Sequence, residues 1–322
     1  MQMQDILNVV EHEFNDLNQL IHAQLESRVP LVEKVAEYII NSGGKRVRPL
    51  LVILTAKAFA ECDERAVKLA TVVEFLHTAT LLHDDVVDTS DLRRGNPTAN
   101  AMFGNAPSVL VGDFLYSRSF EMLVELACIP VMTILAKATG IIAEGEVLQL
   151  TNVKNPDISE QQYMEVIQGK TAMLFEAATG GMARLIDRNP AECEAMRIYG
   201  QQLGLAFQMA DDVLDYEGDA EAMGKNVGDD LAEGKTTLPL IHAMQTGSEE
   251  QRQLIRSAIR KGGLNDMSEV LSIVQALGSI EYTQSKAQQC INRALAQLEI
   301  LPESPSRSAL EALALLAINR NN

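Results

Sequence analysis

"FLHTATLLHDDVVDTSDLRRG", residues 75–95, sets Asp84, Asp85 and Asp88 behind a long apolar run and places Arg93 and Arg94 just after them. The run falls in an Ala- and Leu-rich stretch, roughly 64–88, whose periodicity is helical. On that helix Asp84 and Asp88 stand at i and i+4 on one face, where like charges cost roughly 0.2–0.5 kcal/mol even when exposed. A bound cation reverses the sign. For a single D-D-x-x-D the alternative is a solvated face or an acidic helix end.

Helical periodicity continues along the chain. Further stretches, roughly 106–126, 130–150, 190–217 and 280–298, are separated by "NSGGKRVRP", "RRGNP", "CIP", "NVKNPDIS", "IDRNP" and "ILPESPS", with Gly or Asn after a helix and Pro near the next first turn. "LLVIL" at 50–54 has strand-like composition, but it runs on into "TAKAFA" and has no companion strands, so helix is predicted. The expectation is an all-α chain forming one domain over residues 1–322, without solenoid repeats. No apolar run reaches the ~18 residues of a membrane span.

Composition narrows the function. The chain has 322 residues, 47% of them hydrophobic, enough for a sizeable core, and a formal net charge of -17. That charge repels nucleic acid and anionic lipid, so an anionic ligand requires a local basic pocket. The acidic, amphipathic start "MQMQDILNVVEHEFNDLNQLI" lacks the look of a secretion or transit signal, and a cytoplasmic location is expected. Cys62, Cys128, Cys193 and Cys290 form no C-x-x-C motif and read as reduced, buried side chains.

A second cluster changes the weight of the first. "FQMADDVLDY" places Asp211, Asp212 and Asp215 at the same spacing, again at the end of an apolar helical run. Oxygen ligands without His or Cys suit Mg²⁺, which binds through a few carboxylates plus substrate phosphates. A phosphorylated substrate between the clusters is therefore predicted. "GGKRVRP" sets Lys45, Arg46 and Arg48 at the start of a helix expected near Leu50, where free N–H groups favour anions. Its alternative is a C-cap glycine followed by solvated charge. Arg93 and Arg94 can serve two different diphosphates. "QGKTAM" adds Lys170 and Thr171, and "GKNVGDDLAEGKTTLP" adds Lys225 and Lys235, but none forms a Walker A loop, so nucleotide binding is unsupported. Asp229 and Asp230 read as a solvated loop outside the site.

Taken together, "GGKRVRP", "FLHTATLLHDDVVD", "RRG", "GDFLYSRSF", "IAEGEVLQL", "GKTAMLFEA", "FQMADDVLDY" and "GKNVGDDLAEGKTTLPL" resemble, in order, the motifs of the long-chain all-trans polyprenyl diphosphate synthases. The resemblance implies an isoprenoid synthase-type helical barrel around a deep central cavity, a homodimer pairing near "GDFLYSRSFEMLVEL", and Mg²⁺-dependent condensation of isopentenyl diphosphate onto an allylic prenyl diphosphate, with farnesyl diphosphate as primer. It assigns Lys45, Arg48, His77 and Arg94 to isopentenyl diphosphate, and Arg93, Lys170 and Lys235 to the allylic diphosphate. Lys225 joins the substrate-binding set. Asp84, Asp88 and Asp211 become the main Mg²⁺ ligands, with Asp85, Asp212 and Asp215 water-mediated or behind them. Gln208 and Thr171 line the place where positive charge develops. The family gives the base role to the released pyrophosphate.

Chain length follows from Ala79 and Thr80, about one helical turn, roughly 5–7 Å, before Asp84. Short-chain members carry aromatic residues there, whereas these small side chains leave a shaft open. At roughly 4–5 Å per isoprene unit, eight units need about 35 Å, which puts the floor among Met122, Leu123, Met132 and Leu135. Forty carbons are expected, with forty-five the near alternative and a shorter product the next. A product this apolar implies transient hand-off at a membrane by a chain without a transmembrane segment. A terpene cyclase is disfavoured by the second "DDVLD" and by "GGKRVRP", and a non-catalytic subunit by retention of both aspartate sets.

Overall fold

A computed structural model describes residues 1–217, 228–262 and 265–319, and among them the chain is helical almost throughout. The expected helices appear as Glu64–Val87, Asn105–Glu125, Ile129–Asn152, Pro190–Glu217 and Ser279–Gln297. The chain, expected as one domain, is divided into two compact units: residues 1–139, 174–200 and 295–313, and the described residues of 140–173, 201–294 and 314–322.

In the first unit the Val47–Ala58 helix is apolar on every side and buries all of residues 49–56, which settles "LLVIL" as helix. It begins at Val47 rather than near Leu50, because Arg46 takes a left-handed φ of 44° as its N-cap. The Glu64–Val87 helix packs along it and along Asn105–Glu125. Asp63 starts that helix by accepting the Arg65 N–H at 3.0 Å. Leu69, Val72, Val73, Leu76 and Leu82 are buried along its length, each contributing about 1.5–3 kcal/mol. The apolar run therefore seats the aspartates at a helix end fixed by its own packing.

Among the described residues, strand is confined to a miniature hairpin, Leu92–Arg93 with Asn96–Pro97. Two residues per strand leave no alternation to read in the sequence. Its turn is Arg94-Gly95, at φ 53° and 76°, the positive angles that match a two-residue turn to the twist of its strands.

The second unit has its own core, in which Val213, Tyr216, Leu231, Leu240, Ile255, Ile259, Val270 and Ile280 pack together. The Glu160–Ile167 helix opens on a capping box between Ser159 and Gln162. It runs directly into a π-helical turn, Gln168–Ala172, that carries Lys170 and Thr171. π turns of this kind concentrate at functional positions.

Candidate active site

In the first unit, Asp84 and Asp85 lie in the last turn of Glu64–Val87 and Asp88 is its C-cap, donating its N–H to the Asp84 carbonyl at 2.8 Å. A helix C-terminus carries partial negative charge, so three carboxylates there are doubly unfavourable without cations. Asp85 is 1% exposed and receives Arg93 through Nε at 3.0 and 3.1 Å and Nη2 at 2.6 Å. The hairpin is what folds Arg93 back onto the helix end. Asp84 and Asp88 are half-buried beside it.

Cationic side chains from other segments gather around His77 of the same helix. Arg48 Nη1 lies 3.1 Å from His77 Nε2. Arginine offers only donors, so Nε2 accepts and the proton sits on Nδ1. Loss of solvent, reinforced by Arg48, Arg94 and Arg93, pushes the His77 imidazole well below the usual histidine range. It is therefore neutral near pH 7. The Arg48 guanidinium also stacks 4.4 Å over Phe175. Arg94 reaches across Gly44, where a Cβ would fall 2.5 Å from Nη1, so only glycine admits that approach.

Beneath them lies Glu74, unmarked in the sequence reading. It is buried, one of its oxygens lacks a hydrogen bond, and Arg46 Nε approaches the other at 3.9 Å. Burial raises its carboxyl while Arg46, Arg48 and Arg94 draw it down. Its one sequence signal was its position three residues before His77, on the same helix face. Lys45 stands exposed in the adjoining loop.

The second unit carries the other set. Asp212 and Asp215 are buried and Asp211 is exposed. Tyr163 donates its hydroxyl to Asp212 Oδ2 at 2.5 Å, and Gln208 Nε2 donates to Oδ1 at 2.8 Å. Gln208 Oε1 in turn accepts from Thr171 Oγ1 at 2.8 Å. Burial, then the charges of Asp230 and Asp211, push the Asp212 carboxyl well above the usual range. Lys170 donates to Glu146 Oε2 at 2.8 Å. Its backbone is pressed against Gly145, where a Cβ would lie 2.8 Å from the Lys170 nitrogen.

Asp229 and Asp230, expected in a solvated loop, instead start a helical turn, Asp229–Ala232, and the Asp230 N–H points to Asp215 Oδ2 at 3.3 Å. Lys235 pairs with Glu233. Lys225 lies outside the described residues. Tyr163, Glu146 and Asp230 were not assigned from sequence, because each meets its partner across a gap that no local spacing encodes. Among the chain-length candidates, Ala79, Met122, Leu123 and Leu135 are buried in the first unit and Met132 half-buried, while half-buried Thr80 donates its hydroxyl to the His77 carbonyl at 2.8 Å.

Among the described residues no three His, Cys, Asp or Glu side chains form a ready-made metal cage. Mg²⁺ is held through one or two carboxylates, with substrate phosphates completing the shell. In the first unit Asp84 and Asp88 are half-buried, and in the second Asp211 is exposed; each offers the carboxylate oxygens that suit a hard divalent cation.

Comparison with known proteins gives this arrangement a context. The profile of the family described as Polyprenyl synthetase matches residues 29–277. The octaprenyl diphosphate synthase of Escherichia coli (strain K12) is 48% identical over 322 residues, covering 100% of both chains. The all-trans-nonaprenyl-diphosphate synthase (geranyl-diphosphate specific) of Rhodobacter capsulatus is also 48% identical, over 318 residues and 98% of each chain. The crystal structure of a polyprenyl synthase from Caulobacter crescentus CB15, complexed with calcium and isoprenyl diphosphate, superposes with a TM-score of 0.96 at 42% identity, covering 100% of this chain and 98% of that one. Its all-α fold is thus that of the isoprenyl diphosphate synthases, and the chain belongs to the polyprenyl synthetase family of prenyltransferases, with long-chain trans-prenyltransferases as its close relatives.

Proposed function

We propose that this prenyltransferase adds isopentenyl diphosphate repeatedly to farnesyl diphosphate and releases the forty-carbon, octaprenyl product, with the whole of residues 1–322 acting as one catalytic domain. The observation that carries the reading is the group Arg48, Arg93 and Arg94 around a neutral His77, on a helix that ends in Asp84, Asp85 and Asp88.

Arg48, Arg94 and His77, with Lys45 from the loop, hold isopentenyl diphosphate, His77 by accepting from Arg48 and so aiming its guanidinium. Arg93, Lys170 and Lys235 hold the allylic diphosphate. Asp84, Asp88 and Asp211 would hold Mg²⁺, which when bound neutralises the departing diphosphate. Thr171 and Gln208 present oxygen dipoles where the allylic carbon becomes positive. Apolar side chains keep water from that carbon.

Two long-chain relatives at equal identity, an octaprenyl and a nonaprenyl synthase, support a long product. The small side chain of Ala79, where a bulky one would block a growing chain, supports it as well. The test is incubation with Mg²⁺, farnesyl diphosphate and labelled isopentenyl diphosphate, followed by dephosphorylation and chromatography. Forty carbons are expected; forty-five would correct the length, and a cyclic hydrocarbon or no product would overturn the reading. Ala79→Tyr should move the products to fifteen or twenty carbons while the first condensations continue. Mainly forty-carbon product from that variant would mean that the growing chain does not pass Ala79.

The exposed Leu110, Val124 and Ile129, at 66%, 61% and 68%, support a homodimer through the Asn105–Glu125 region. Sedimentation at micromolar concentration tests it, and a monomer would count against it. No helix among the described residues is long and apolar enough to cross a membrane. We place the enzyme in the cytoplasm, handing its product to a membrane transiently.

A further inference from the structure

Tyr163, Asp212, Gln208 and Thr171 form a hydrogen-bonded chain with one direction. Asp212 accepts the Tyr163 hydroxyl on Oδ2 and the NH₂ of Gln208 on Oδ1. That leaves Gln208 Oε1 toward Thr171, whose hydroxyl is then committed as donor. The amide of Gln208 would otherwise be free to turn by half a revolution. Its orientation is set by Asp212, and Asp212 is itself held from the far side by Tyr163.

The helix carrying Tyr163 is fastened at its start. Glu160, three residues earlier, receives Tyr282 Oη on Oε2 at 2.7 Å and Lys286 Nζ on Oε1 at 2.7 Å. Tyr163 is 5% exposed and Asp212 2%, so water does not compete for the bond. Burial and the Asp212 charge keep the phenol protonated, well above the usual tyrosine range.

We propose that Tyr163 is a positioning residue for catalysis: through Asp212 it fixes the amide of Gln208 with its oxygen toward Thr171. This rests on the reading above, in which Gln208 and Thr171 face the reacting allylic group. Tyr163 gives its hydroxyl to Asp212 and acts through that carboxylate.

The experiment is steady-state kinetics on the full chain with farnesyl and isopentenyl diphosphates, as a double-mutant cycle. Tyr163→Phe keeps the ring and removes the donor. It should lower kcat by about 10- to 100-fold, the range for losing a partner that orients a site residue. Both KM values should stay within about threefold, because neither diphosphate is held by this chain. In a Gln208→Leu background the same substitution should change kcat by less than about twofold, since no amide remains to orient.

A kcat of Tyr163→Phe within twofold of the parent overturns the proposal. So does a full loss repeated in the Gln208→Leu background, which would mark Tyr163 as structural only. Circular dichroism and a melting curve check folding. If Tyr163→Phe does not fold, Gln208→Asn leaves the Tyr163–Asp212 bond in place but withdraws the amide from Thr171; it should show the same loss in kcat with unchanged KM, and parental kcat would overturn the proposal. A parent chain without prenyltransferase activity would instead defeat the functional reading, so the two failures are distinguishable.

Discussion

Asp85 and Asp212 occupy the same place in two D-D-x-x-D motifs and both are buried, yet Asp85 meets a guanidinium whereas Asp212 meets a phenol and an amide. In the first unit the middle carboxylate is neutralised by Arg93. In the second no cation pairs with it in these hydrogen bonds, and burial, then Asp230 and Asp211, raise its affinity for a proton. One spacing therefore serves two electrostatic designs. The first fixes an arginine beside Asp84 and Asp88; the second gathers carboxylates around a buried one.

The largest effect should come where the two designs converge on function. Asp84→Ala and Asp211→Ala each remove a proposed Mg²⁺ ligand, and each should lower turnover by about 10³-fold or more while the helical circular dichroism is unchanged. Saturating Mg²⁺ in the assay separates ligand loss from weakened affinity. Parental activity in Asp84→Ala would remove the metal assignment of the first cluster, and a far smaller loss for Asp211→Ala would confine the metal to the first.

The middle positions should differ next, and in stability as well as activity. Arg93→Ala strands a carboxylate that is 1% exposed, and since the Arg93 side chain itself keeps 21% exposure, the cost should fall near the low end for broken buried pairs, about 3 kcal/mol. Tyr163→Phe removes one neutral donor and should cost about 1–2 kcal/mol. Urea unfolding with unchanged slope reads both; an equal or reversed order would break the comparison. In kinetics, Arg93→Ala should chiefly raise KM for the allylic substrate and Arg94→Ala that for isopentenyl diphosphate. Equal effects on both substrates would dissolve the two-site assignment.

The pairing of Asp84 with Asp88, and of Asp211 with Asp215, on one face was legible because a helix turns i, i+4 spacing into a shared face. Asp85 and Asp212 were expected behind the others, but their different partners were not legible. Arg93 reaches Asp85 only through a hairpin too short to have a period, and Tyr163 reaches Asp212 across 49 residues of chain. The five long helices given bounds were readable from apolar periodicity to within a residue or two. The start at Val47 was not, because it is set by the left-handed backbone of Arg46, which no propensity favours. Glu74 was hidden for a related reason: a lone acid in an apolar helix becomes meaningful only once three arginines from other segments close over it.

The smallest expected effect is a difference in pH response. His77 in the first unit is held well below its ordinary value of 6.5 by burial and by three guanidiniums. The folded state then binds fewer protons than the unfolded one below that value, so the stability His77 contributes is complete above about pH 6.5 and is lost as the pH falls beneath it. Asp212 is displaced the other way, well above 3.8. Its contribution is complete below 3.8 and is lost as the pH rises through the folded value. The two groups thus tilt the stability curve in opposite senses. Urea midpoints measured in EDTA at pH 5.5 and 7.5 resolve them: His77→Gln should lose less on acidification than the parent, and Asp212→Asn should gain on the parent as the pH rises. Parallel shifts of both variants would mean that the two clusters do not differ in the way that Arg93 and Tyr163 imply.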